Sequence, residues 1–296
     1  MIPRMRRLTS TALVTCACVV AAACGQRADT AAPVASIAAS LNAPRAEAGG
    51  PVSITYTFTV PAGTSTLAPD QWVFVHALDD SHELLWTDDH APPTPTQSWR
   101  AGTPVTYTRT MFLPRRTTPG QVRIEAGVFA RASGQRLPLA GQDRGMHSYE
   151  VAVLTVTPSA NPVVPEAGWY DPETGESPGR EWRWSRRESH LSFANPKAPI
   201  TLYLEIDQPV TSLPASQALE VVGPAGTLAT LTVPAGAPQV TRVPVEANQL
   251  GAGDRVDLTL KVGSVFVPAA TPQLKSNDTR ELGIRLLNAF VEPKGN

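Results

Sequence analysis

No cysteine follows position 24 in this 296-residue chain; the three it has are Cys16, Cys18 and Cys24. The body of the protein can therefore form no disulfide framework, no cysteine-based zinc site and no thiol nucleophile. Charge is equally sparse, at 17% of residues, and no basic run occurs. Neutralising a phosphate backbone needs a clustered positive face, so nucleic-acid binding is excluded as a class. No Gly-x-Ser-x-Gly elbow, phosphate-binding loop or dinucleotide fingerprint is present. No sustained apolar stripe of helical period appears beyond the first residues. What is abundant is punctuation, with 29 prolines and 21 glycines, which suits many short strands joined by turns.

The one long apolar run, Leu8 to Ala23, follows Arg4, Arg6 and Arg7. A charged start, an apolar middle and small residues at its end read as a secretory signal, since the run is short of the ~20 residues a bilayer crossing takes. Its last residues, Val19-Val20-Ala21-Ala22-Ala23-Cys24-Gly25, resemble the lipobox of bacterial lipoproteins. The resemblance implies cleavage between Ala23 and Cys24, diacylation of the Cys24 sulfur and acylation of the freed amino group. An ordinary secreted protein cut nearby is the alternative. Gly25 and Gln26, with no Asp after Cys24, resemble the sorting class destined for an outer membrane. The expected location is thus the cell membrane or outer membrane, lipid-anchored and facing periplasm or exterior. Removing the signal, residues 1–23, takes three of the 25 basic residues and leaves 22 against 26 acidic ones, a net charge of −4. Residues 24–33 are small and polar, which predicts a flexible tether.

Two modules are expected behind the tether, at 34–157 and 166–296, with 158–165 as linker. In the first, every even position from Val52 to Val60 is apolar and the odd ones are Ser or Thr, a period of two that lays one face on a core. Gln71 to Leu78 is apolar on both sides, as in a central strand. Val105 to Leu113, Val122 to Arg131 and Met146 to Val156 supply further strands. In the second, Ile200 to Asp207 and Val256 to Val262 alternate. Leu219 to Val222, Leu228 to Val233, Val240 to Val245 and Leu282 to Phe290 complete the set. The expected fold is all-β, two immunoglobulin-like antiparallel β-sandwich domains.

Residues 70–140 carry a further resemblance. Val73-Phe74-Val75-His76-Ala77-Leu78-Asp79, then Asp88-Asp89-His90-Ala91-Pro92-Pro93 through Trp99, Pro119-Gly120, Ala126-Gly127-Val128-Phe129 and Gln135-Arg136-Leu137 resemble the soluble β-sandwich appended to some bacterial integral-membrane glycosyltransferases. The second module echoes the same proteins in Gly168-Trp169-Tyr170, Trp182-Arg183-Trp184-Ser185 and Asp278-Thr279-Arg280-Glu281-Leu282-Gly283. Catalysis in that family belongs to the membrane portion, which this chain lacks. The resemblance therefore implies an accessory module near surface glycans or lipids and carries over no catalytic residue.

Three constellations could bear chemistry. His76, His82 and His90, with Asp88 and neighbouring carboxylates, offer imidazole and carboxylate ligands for a divalent metal; the alternative is a packed His76 and a polar turn at Asp79 to His82. Trp182 and Trp184 lie two apart, so both point the same way in a strand with Arg183 opposite; exposed, they could stack on sugar rings, and buried, they fill a core. Trp99 follows a Pro-rich loop and either plugs one sandwich end or joins the ligand surface. Asp278 and Arg280 predict a same-face clasp. Glu166, Asp171, Glu173 and Glu176 are the carboxylates that a glycoside-cleaving pair would draw on, although no regular element sets their spacing.

The function expected is that of a non-catalytic, lipid-anchored accessory module recognising envelope glycan, without cofactor. A protein-interaction scaffold of an envelope complex is the alternative, and a metal-binding periplasmic protein a third reading.

Overall fold

A computed structural model describes residues 31–175, 180–208 and 216–294. The signal, Cys24 and most of the expected tether lie outside the described residues, as does Glu176. Residues 33–294 that are described belong to one compact unit, built entirely of strands and single-turn 3₁₀ segments. Among the described residues no helix is long and apolar enough to cross a membrane.

The fold is all-β, with four sheets stacked in two sandwiches. In the first, the strands Val105–Phe112, Pro51–Thr59 and Ala35–Leu41 are paired antiparallel and face a sheet carrying Tyr149–Thr157, Gly120–Ala130, Gln71–Leu78 and Leu84–Thr87. The alternation of Pro51–Thr59 does what its period requires: Val52, Ile54, Tyr56 and Phe58 are buried while the Ser and Thr positions are half-buried. Those hydroxyls pair across the strand as Ser53–Thr110 and Thr55–Thr108, each 2.8 Å apart. Val73, Val75 and Ala77 close the core from the opposite sheet together with Val122, Ile124 and Val128. At about 25 cal/mol per Å² of apolar surface removed from water, such alternation drives the stacking of the two layers.

The second sandwich repeats the plan. Glu188–Ala194, Arg255–Val262, Ser216–Gly223 and Gly226–Pro234 form one sheet; Glu181–Trp184, Arg285–Pro293, Ile200–Asp207 and Gln239–Val245 form the other. Leu191, Phe193, Leu219, Leu258 and Leu260 meet Ile200, Leu202, Leu204, Val243 and Val291 in its core. Trp184, Phe266 and Leu282 make a small separate cluster at one end.

Several boundaries differ from the sequence reading. The last strand of the first sandwich begins at Tyr149, because Met146 and His147 sit at φ 53° and 55°, where no strand continues. The closing strand begins at Arg285, and Leu282 forms only an isolated bridge with Phe266. Ala35–Leu41 and Glu188–Ala194, unanticipated, are full strands. Val164 and Pro165, expected in a linker, pair with Ser192 and Leu191, and Val163 is buried in the second core. The outer face of Gln71–Leu78 is covered by side chains and not by a third layer: Arg131 lies 4.3 Å from the centre of the Trp72 ring and Arg136 lies 3.9 Å from that of Phe74.

The two sandwiches are stitched directly. Arg115, just after the Val105–Phe112 strand, donates to the carbonyls of Val163 at 3.1 Å and Ala289 at 3.5 Å. Arg242 donates to Thr110 at 3.1 Å, and Phe112 meets Tyr203 edge-on at 6.4 Å.

Candidate functional site

The stitching leaves a two-part cleft between the sandwiches. The smaller part, of about 370 Å³, runs along the edge strand Glu181–Trp184 and is lined by Trp182, Arg183, Arg180 and Arg115. The larger part, of about 730 Å³, extends over Asp88, His90 and Arg109 of the first sandwich and Glu205 and Arg242 of the second. Pro114, Arg180, Glu181, Leu287 and Asn288 line both parts, which are therefore continuous.

Local structure explains this lining. Opposite Glu205 and Ile206, the pairing register of Arg285–Pro293 slips, with Asn288 and Leu286 as partners and Leu287 left over. A bulge of this kind bends its strand and re-aims a side chain, and here it presents Leu287 and Asn288 to the cleft. Asn288 donates to Glu205 at 2.6 Å. Burial lifts the Glu205 carboxyl above the usual carboxylate range, the Asn288 bond and Arg180 oppose this, and Asp88 across the cleft adds to it.

Trp182 and Trp184 point the same way, as their spacing predicts: Arg285 lies 4.7 Å from the centre of the first ring and 5.7 Å from that of the second. Their environments then diverge. Trp184 is 8% exposed and packs edge-on to Phe266 at 5.8 Å. Trp182 is half-buried and donates its indole N–H to Glu173 at 3.3 Å. Arg183 donates to the Tyr170 carbonyl at 3.0 Å and lines the smaller part of the cleft. Trp99 is 3% exposed, lies 4.7 Å from Phe58 between ring centres and donates to the Thr94 carbonyl. Trp99 and Trp184 thus have no free ring face to offer a ligand, which corrects their candidacy; Trp182 and Arg183 do reach the cleft.

The residues weighed as a metal constellation do not assemble into one, because they are engaged elsewhere. Asp88 is held by Arg109 through two hydrogen bonds of 2.7 and 2.8 Å. His90 donates from Nδ1 to the Asp88 carbonyl at 2.7 Å and accepts at Nε2 from the Tyr107 hydroxyl at 2.8 Å. Burial chiefly, and then Arg109, pull its pKa down to about 4, so the ring is neutral near pH 7. The same burial raises the Tyr107 phenol. His82 stands at φ 64° on a turn closed by Asp79, which accepts from the N–H groups of Ser81 and Glu83. His76 lies against Phe74, and burial lowers its pKa. Among the described residues, no three His, Cys, Asp or Glu side chains converge as a metal site would require.

Two of the carboxylates considered for glycoside cleavage, Glu166 and Glu173, are also in use, while Asp171 is exposed. Glu166 accepts from Ser192 at 2.5 Å and pairs with Arg255 at 3.3 Å. Glu173 accepts from Arg280 at 2.8 Å as well as from Trp182. Arg280 is in turn clasped by Asp278, whose carboxyl it holds below the usual range. The Asp278–Arg280 clasp thus reaches Trp182 through Glu173, a connection that spacing alone does not reveal. Sequence reading also missed Arg115, Arg180, Glu205 and Asn288. Arg115-Arg116 directly after Leu113-Pro114 is the one local signal among them, a charged pair where a strand ends.

No family model matches the chain, and no curated protein does. Among solved structures it is similar to the carbohydrate-binding module CBM36 in complex with calcium and xylotriose, at 10% identity over 45% of this chain and 98% of that one, TM-score 0.26. It is also similar to the CBM22-1–CBM22-2 tandem domain of Paenibacillus barcinonensis Xyn10C, at 9% identity over 83% and 80%, TM-score 0.30. The CBM51-2 and INT domains of Clostridium perfringens ZmpB are similar at 11% identity over 59% and 38%, TM-score 0.26. Likeness at this level transfers no ligand and no residue role.

Proposed function

We propose that this chain is a non-catalytic glycan-binding protein, anchored to the cell envelope by lipid on Cys24, that takes a saccharide into the cleft between its sandwiches. One observation carries the binding reading: the half-buried indole of Trp182 lines a cleft together with Arg183, Arg180 and Asn288. An aromatic surface for a sugar ring beside planar hydrogen-bond donors for its hydroxyls is the chemistry that saccharide recognition needs. The ring is held before ligand arrives, by Arg285 on one side and by Glu173 at its N–H, so little ordering cost falls on binding. The non-catalytic reading is supported by the engagement of Glu166 and Glu173 in fixed internal bonds. The lipid-anchored reading is supported by the residues from Arg4 to Gly25 and by the small polar stretch after them, long enough to hold the sandwiches off a bilayer.

Titration of the mature chain with an envelope oligosaccharide panel tests the binding. Trp182→Ala should abolish the interaction while leaving the unfolding transition in place; retention of every ligand by that variant would sink the proposal. Mass spectrometry of the natural product tests the anchor, since an unmodified residue 24 removes it.

A further inference from the structure

The smaller part of the cleft concentrates positive charge. Arg115, Arg116, Arg180 and Arg183 line it against a single carboxylate, Glu181. That carboxylate pairs with Arg116 at 3.7 Å. None of the other three guanidinium groups lies within 4 Å of a carboxylate oxygen among the described residues, although Glu181 acts on Arg115 and Glu205 on Arg180 from farther away. Arg115 donates only to the carbonyls of Val163 and Ala289, and Arg183 only to that of Tyr170. The Arg180 carbonyl accepts from the Gly175 N–H at 3.0 Å, but its guanidinium makes no hydrogen bond or ion pair among the described residues. Elsewhere in the same sandwich Arg280 is neutralised by Asp278 and Glu173, Arg285 by Asp207 and Arg255 by Glu166.

Collecting three cations in one partly enclosed space costs electrostatic energy, because they repel one another and are drawn out of water. Desolvation lowers the pKa of Arg115, Glu181 opposes this and Arg183 adds to it. Guanidinium presents a planar fork of donors that matches a carboxylate or phosphate two bonds at a time, whereas a neutral hydroxyl uses one donor and leaves the charge standing.

We propose that the saccharide bound beside Trp182 is acidic, its carboxylate or phosphate group received by Arg115, Arg180 and Arg183. This inference rests on the glycan reading above and adds the ligand's charge. The sugar ring lies along the indole, and its anionic substituent points to the arginines at the same end of the cleft. The shared requirement is an oxyanion on a sugar.

Calorimetric titration of the mature chain with a tetragalacturonate, the same oligomer with its carboxyls reduced to alcohols, and a phosphorylated oligosaccharide separates the cases. The tetragalacturonate or the phosphorylated sugar should bind, whichever does naming the oxyanion, and the reduced oligomer should bind at least about tenfold more weakly. Affinity for the acidic sugar should fall as salt rises. Arg180→Glu, at an exposed position, should weaken the acidic sugar by about tenfold or more without moving the unfolding transition; Arg183→Gln should act in the same direction. Equal affinity for the charged and reduced oligomers overturns the acidic assignment and leaves the glycan site standing. Silence from every saccharide overturns the glycan reading and this inference together. Binding to phosphatidylglycerol vesicles with no saccharide bound would assign the arginines to a lipid surface and overturn the proposal as well.

Discussion

Asp207 receives Arg285 through two hydrogen bonds of 2.6 and 2.8 Å, and the same guanidinium lies 4.7 Å from the centre of the Trp182 ring. The carboxylate is fully buried and the arginine nearly so. A bond between two neighbouring strands thereby sets the tilt of the aromatic side chain on the third.

Asp207→Ala should lower stability by roughly 3–5 kcal/mol, because it strands a desolvated guanidinium. Any saccharide affinity should fall with it, since Trp182 loses its backing. Replacing both partners, as Asp207→Leu with Arg285→Met, should recover much of the stability and none of the affinity. Urea unfolding alongside ligand titration reads both. Full stability in the single variant would show that the pair contributes nothing.

Trp182 and Trp184 should separate cleanly. Trp184→Ala empties a site packed on Phe266 and Leu282 and should cost about 3–5 kcal/mol. Trp182→Ala removes a half-buried ring and should leave a higher thermal midpoint than Trp184→Ala does. The opposite ranking in a melting series would mean that Trp182 is the enclosed ring and Trp184 the available one.

His90 makes stability depend on pH. Its folded pKa, about 4, lies below the roughly 6.5 of an unfolded histidine. The unfolded chain therefore binds the proton first, and this contribution is fully present above pH 6.5 and lost as pH falls toward 4. The loss from this group is on the order of 3 kcal/mol at most. Denaturation at pH 7, 5.5 and 4 should show it, and His90→Gln should flatten that part of the profile. A profile unchanged by the substitution would assign the acid sensitivity elsewhere.

Gly127 is a matter of space. A Cβ there would lie 2.5 Å from the Phe74 ring and 2.8 Å from the His147 carbonyl. Gly127→Ala should therefore cost about 1–3 kcal/mol and loosen the Phe74–Arg136 stack on the outer face of that sheet. Faster amide exchange along Gln71–Leu78 is the expected readout, and unaltered exchange would show that the ring can yield.

What could be read before folding was whatever depends on neighbours along the chain. Alternation in Pro51–Thr59 and Ile200–Asp207 marked strands and buried faces correctly, because side chains of a strand must point to opposite sides. The same geometry put Trp182 and Trp184 on one side. It could not say that one ring would be enclosed by Phe266 and the other left at a cleft, since that depends on residues about eighty to a hundred positions away. Thr201, Tyr203 and Glu205 carry the pattern of a water-facing surface, yet Glu205 faces Asp88 of the other sandwich. Asp88 and His90 had the composition of a metal site, and Arg109 and Tyr107, on another strand, had already claimed them.

By itself, then, the order of residues determined an all-β chain, where most of its strands run and which of their faces are apolar. It also wrote the resemblance to a lipid-attachment signal into Arg4 to Gly25. Only the tertiary structure decided which tryptophan is available, which carboxylates are spoken for, and that four arginines line one part of a cleft. Strand periodicity is a local property of the backbone, whereas a binding surface depends on which distant segments the packing of two sandwiches brings face to face.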